Sequence, residues 1–124
     1  MAKFAKMLAM TVRLLLVVEL VLGVLLAAAR LQFLQVHIGL GFLVAICVAS
    51  LAIMACAKRM LGIGVVGLFF AILLPVTGFK QFPLRFGSSI GLIQIVHVVV
   101  ALAAVGLAEA LHSRIRRLID KVIC

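Results

Sequence analysis

Residues 33–57, FLQVHIGLGFLVAICVASLAIMACA, contain no charged side chain. At about 1.5 Å of rise per residue a helix of this length reaches roughly 37 Å, more than the about 30 Å of hydrocarbon in a bilayer. The stretch predicts a membrane-spanning helix, closed by Lys58 and Arg59, with one conspicuous polar side chain, His37, about a turn inside its start.

Working outward, three further apolar runs predict three further spans, over about 7–29, 61–79 and 88–111, each near or above the roughly 20 residues needed to cross. The first ends in Ala27-Ala28-Ala29 and superficially resembles a secretory signal, but Glu19 interrupts its core and the run is long enough to span. Pro75 falls near the end of span three, where a kink or an early helix end is expected, with Thr77 or a neighbouring helix taking up the freed carbonyl. Phe82 to Gly87 reads as a loop, and Ser88-Ser89 as a cap for span four. The chain from Glu109 to Cys124 continues as a helix, with residues 112–124 as its tail, and places Ile115, Leu118, Ile119 and Val122 on one stripe and Arg114, Arg116, Arg117 and Lys121 opposite, the pattern of a basic amphipathic segment lying on an anionic leaflet or docking onto a partner subunit. The expected fold is all-α, a four-transmembrane-helix up-down-up-down bundle with a basic amphipathic C-terminal tail, forming a single integral membrane domain over residues 1–124.

Composition agrees. Of 124 residues 68% are hydrophobic and 12% charged, with a mean hydropathy of +1.46, against about 45–50% apolar content in soluble domains. The formal charge of +9 is carried by residues flanking apolar runs, so anionic lipid headgroups, and not nucleic acid, are the expected partner. Lys3, Lys6, Arg13, Lys58, Arg59, Arg114, Arg116, Arg117 and Lys121 fall on one side of the alternating spans, and only Arg30, Lys80 and Arg85 on the other. Nine against three puts both termini in the cytoplasm, with a bacterial inner (plasma) membrane as the expected location. Cys47, Cys56 and Cys124 show no C-x-x-C spacing and read as small hydrophobes.

Function is read from polar residues inside the spans, because an intramembrane imidazole is costly unless it faces the bundle interior. His37 in span two and His97 in span four lie on helices expected to run in the same direction, and neutral imidazole is a good axial ligand for haem iron. By estimated depth they differ by roughly 7 Å, which helix tilt can absorb. Small residues follow each on its own face: Gly41, Ala45 and Ala49 after His37, and Ala101, Ala104 and Ala108 after His97. These leave room for a flat macrocycle, or serve direct helix packing. Arg30, Lys80 and Arg85 at the outer surface are candidates to pair haem propionates, or are ordinary flanking charges. Glu19, near the middle of span one, can accept from a ligand imidazole, relay a proton, or be protonated and bonded to a neighbouring helix; Gln94, one turn before His97, can serve either ring. His112 sits among arginines and is expected to be solvated.

His37 with Gly39 and Gly41 after it, His97 in span four and four short-looped spans resemble the small four-helix membrane b-type cytochromes. The resemblance implies haem b, bis-histidine ligation and electron exchange with quinols, other small donors or partner subunits. Di-haem members carry two histidine pairs and this chain has one, so one haem in the outer half of the bilayer is implied, with His37 and His97 as metal ligands and electron transfer favoured over oxygen chemistry. Two rivals stand beside it. One is a cofactor-free accessory subunit of a larger membrane complex, suited by the basic tail and by Gly62, Gly64 and Gly67. The other is a small proton-coupled transporter similar to the small multidrug transporters, using Glu19.

Overall fold

The computed structural model describes residues 2–27, 33–80 and 90–123, with side chains over 3–26, 33–80 and 91–118. Among these residues the chain forms four helices and no strand: α1 (Ala2–Ala27), α2 (Leu34–Ala57), α3 (Leu61–Lys80) and α4 (Ile90–Ile123). Each is long and apolar enough to cross a membrane, and the lipid-facing character is explicit in side chains such as Leu14, Val24, Phe69, Ile72 and Leu92, all more than half exposed. No soluble fold leaves such a surface uncovered.

Helix boundaries differ from the sequence reading at two places. Lys3 and Lys6 lie inside α1, which begins at Ala2. Pro75 does not end α3, which runs on to Lys80. The Thr77 hydroxyl bonds the carbonyls of Leu73 and Leu74, whereas the carbonyl left without an i+4 donor by Pro75 is that of Ala71. The C-terminal segment continues α4, which runs unbroken for 34 residues, about 51 Å, and Ile115 is fully buried in the same core cluster as Ala5 and Val12 of α1. The expected cap at Ser88-Ser89 and the loop before it lie outside the described residues.

The buried positions alternate three and four residues apart. On each helix one line of them does so, Ala5, Ala9 and Val12 on α1, Val44, Val48, Leu51 and Ala55 on α2, Gly64, Gly67, Ala71 and Leu74 on α3, and Ala104, Ala108, Leu111 and Ile115 on α4, with Ala45, Cys47 and Ala52 widening the buried face of α2. This 3.5-residue spacing is the repeat that keeps one helical stripe against its neighbours in a gently wound bundle. Cross-helix contacts run in opposite chain sense: Gly67 faces Ala52 and Leu111, Phe79 meets Phe42, Thr77 meets His97, and Arg13 pairs with Glu109. Each helix packs on its chain neighbour, α1 also packs on α4, and α2 touches α4 across the bundle while α1 and α3 stay apart.

The closest approach is between α2 and α3. A Cβ on Gly67 would lie 2.7 Å from Cβ of Ala52, and one on Gly64 would meet Cys56 and the backbone of Ala52, whereas Gly62 faces open space. The turn joining these helices fixes their ends. Met60 N–H donates to Ala55 O at 3.0 Å and Arg59 N–H to Cys56 O at 2.9 Å, with Arg59 at φ 60°, the hydrogen-bond pattern of a helix C-terminus closed by one left-handed residue. At the same end of the bundle, Nε and Nη2 of Arg13 donate to the two carboxylate oxygens of Glu109, tying α1 to α4. Gly64→Val is expected to cost about 1–3 kcal/mol through forced separation of α2 and α3, while Gly62→Val changes stability little; unfolding titrations in a common detergent check the difference.

Candidate functional site

Extending the inward stripe of each helix beyond the packed core leads to polar residues. On α2 the line through Leu51, Val48 and Val44 continues to Gly41 and His37; on α4 the line through Ala108 and Ala104 continues to Ala101, His97 and Gln94; on α1 the line through Val12 continues to Leu16 and Glu19. Register alone therefore turns these side chains inward, and α3 contributes Thr77 and Gly78 in its last turn.

Glu19 Oε2 lies 2.5 Å from Nδ1 of His37. It sits off the direction of a ring N–H, so the contact is short and polar without being a formed hydrogen bond, and Glu19 Oε1 and His37 Nδ1 are both buried without one. The side chains retain only 20% (His37) and 13% (Glu19) exposure. Across the bundle the His37 and His97 rings stand 6.3 Å apart between centroids, with planes 73° from parallel. His97 in turn is held by α3: Thr77 Oγ1 is 3.0 Å from its Nδ1, and a Cβ on Gly78 would come within 3.3 Å of its Cε1. One polar residue from each helix thus joins a chain running Glu19, His37, His97, Thr77.

Glu19, His37 and His97 border a cavity of about 320 Å³, within the range of small-molecule and cofactor pockets. Val44, Leu74 and Ala101 lie toward the packed core; α1 supplies Leu20 and Gly23, α3 supplies Pro75 and Gly78, and Phe42 and Phe79 stand in ring contact on the α2–α3 side. α1 and α3 do not touch anywhere among the described residues, and both line the cavity. Gly23 leaves open space where a side chain would stand.

The residues expected from sequence divide as follows. His37, His97, Gly41, Ala101, Glu19 and Gln94 all line this cavity. Lys80 is exposed in the last turn of α3, and Arg30 and Arg85 lie outside the described residues. The longer small-residue runs do not extend the space: Ala104 and Ala108 are fully buried, Ala45 is 7% exposed, and Ala49 is packed at the core's edge. They serve helix contact below the cavity. An i+4 walk from His37 through Ala45 to Ala49 drifts round the helix, since four residues turn through more than 360° at 3.6 per turn. The roughly 7 Å depth mismatch is met by stagger. Glu19 and His97 lie about 10–12 Å from the ends of α1 and α4, and His37 and Thr77 about 4–5 Å from the ends of α2 and α3, so the outer helices overrun by roughly a turn. His112 is half-buried, Cys47 is buried and Cys56 partly so.

Sequence reading missed Thr77 as a partner of His97 and missed the Arg13–Glu109 pair, because both link residues distant along the chain. Comparison with protein-family models, with curated proteins and with solved structures finds no match to this chain.

Glu19→Ala leaves the buried Nδ1 of His37 without a carboxylate beside it and is expected to lower stability by about 1–3 kcal/mol. Glu19→Gln, whose amide oxygen still accepts, should recover most of that loss in the same detergent unfolding measurement.

Proposed function

We propose that the chain is a membrane b-type haem protein working in electron transfer, with a single haem b between His37 and His97. The observation that carries this reading is the facing imidazole pair with 6.3 Å between ring centroids. With metal–nitrogen bonds of about 2 Å and a ring radius of about 1 Å, two imidazoles on opposite sides of one metal stand roughly 6 Å apart. Nδ1 of each ring already faces a protein partner, Glu19 or Thr77, leaving Nε2 of each toward a ligand. Outer partners of this kind orient a ligating imidazole and raise its basicity.

The donor set also favours a macrocycle over a bare ion. Among the described residues no group of three or more His, Cys, Asp or Glu side chains is placed to hold a metal, whereas a porphyrin brings four nitrogens of its own and asks the protein for two. Gly41 and Ala101 beside the histidines, and Gly23 on α1, leave the space in which its edges would lie. The bound group would supply one-electron exchange, and His37 and His97 would hold it among the apolar helix faces that keep water out. Lys80, Arg30 and Arg85 are the residues proposed to meet its propionates. Electrons would pass to or from a quinone or a partner membrane subunit. The basic residues Lys58, Arg59, Arg114, Arg116 and Arg117 would face anionic headgroups, with both termini cytoplasmic in a bacterial inner membrane.

The Glu19–His37 contact favours a second reading, a small proton-coupled transporter in which this pair carries the proton. Cation efflux that requires Glu19, in a protein without haem, would establish it in place of the first.

The test is optical. Purified protein from haem-replete cells should give a reduced-minus-oxidised b-type spectrum at one haem per chain, lost in His37→Ala and in His97→Ala and kept in His112→Ala. A folded, colourless wild type, or haem retained in both histidine variants, would contradict the proposal.

A further inference from the structure

The surroundings of Thr77 settle more than a contact. Its Oγ1 lies 3.0 Å from the carbonyl oxygen of Leu73 and 3.1 Å from that of Leu74, and 3.0 Å from Nδ1 of His97. A hydroxyl has one proton and two lone pairs, and a carbonyl oxygen can only accept. If the proton pointed to His97, Oγ1 would face two carbonyl oxygens at hydrogen-bond distance with no hydrogen between them, in a setting where electrostatic repulsion is poorly screened. The arrangement that places a proton in every contact has the hydroxyl donate, shared, to Leu73 and Leu74 and accept from an N–H at Nδ1 of His97. We propose that Thr77 is a positioning residue that fixes His97 in the Nδ1–H tautomer and so presents the Nε2 lone pair to the cavity.

The same turn fixes the ring's place. Gly78 lies against the imidazole edge, where an added Cβ would be 3.3 Å from Cε1, so the Thr77-Gly78 pair holds the ring by a hydroxyl at one atom and bare backbone at the next. The anchor is the backbone of α3: the two carbonyls belong to a helix that continues through Pro75, and the hydroxyl proton is shared between them. His37 has a different neighbour at the same ring atom, the Glu19 side chain. The two rings are thus unlike in partner, one beside a carboxyl group and one beside a hydroxyl.

The consequence for ligation rests on the haem reading, but the tautomer does not, and the two are tested separately. Nitrogen-15 NMR of histidine-labelled protein prepared without haem, with His37→Gln and His112→Gln chains for assignment, should show His97 predominantly Nδ1–H. A hydrogen bond of ordinary net strength corresponds to a bias of about fivefold. Thr77→Val, of nearly the same shape, should abolish that bias, and Thr77→Ser should restore it. His97 found as Nε2–H in the wild type, a result needing no variant to fold, would overturn the assignment, as would a tautomer ratio unchanged in Thr77→Val. In haem-loaded protein Thr77→Val should keep the haem and raise the midpoint potential, because a ligand whose N–H has lost its acceptor is a weaker donor to ferric iron, and Thr77→Ser should return it. A potential unmoved by Thr77→Val would overturn the ligation consequence. A colourless protein would overturn the haem reading, and the NMR comparison would still decide the role of Thr77.

Discussion

A carboxylate in hydrocarbon must find a partner, and in this bundle Glu19 finds His37. The cost of leaving either group alone is larger than that of any single apolar contact nearby, so their meeting constrains how far α1 slides along α2. His37 faces His97 on α4, and His97 rests on Thr77 of α3. Four helices each contribute one polar side chain to the same level, and the stagger of the bundle follows from bringing them there. Apolar packing between membrane helices is permissive about sliding; polar groups that must meet are not.

That level sits where the bundle changes character. Toward the termini, α2 and α3 approach through Gly64, Gly67 and Ala52, the four stripes close on one another, and Arg13 fastens α1 to α4 through Glu109. Toward the other end the inward line passes from Val48, Leu51, Ala104 and Ala108 to Gly41, Ala101 and the imidazoles, which border the cavity. A tight half anchors an open half. The histidines are thereby held on rigid helices above a packed floor, which suits a site whose work depends on fixed distances.

The fold was legible in the sequence because lipid imposes simple demands: uncharged runs of sufficient length, punctuated by Lys58-Arg59 and by short polar turns, leave few alternatives to helices that span. The inward placement of His37, Glu19 and His97 was also within reach, since they fall on a 3.5-residue line with the small and branched residues of the core. What sequence did not give was partnership. Thr77 sits beside Pro75 and reads most simply as a repair to its own helix, and nothing local announces that its hydroxyl also faces a ring twenty residues later. Arg13 and Glu109 read as a flanking charge and the start of a tail, because their pairing depends on how α1 and α4 align. The small residues after each histidine were read as space, and only the first of each run lines the cavity; the others let helices touch.

The central proposal is that His37 and His97 would together hold one haem. Electron paramagnetic resonance of the oxidised, purified protein tests it most directly, because the spin state reports whether both axial positions hold strong nitrogen donors. The account predicts a low-spin ferric signal at one per chain, with no high-spin component. A high-spin ferric signal, or none from folded protein supplied with haem, would contradict it.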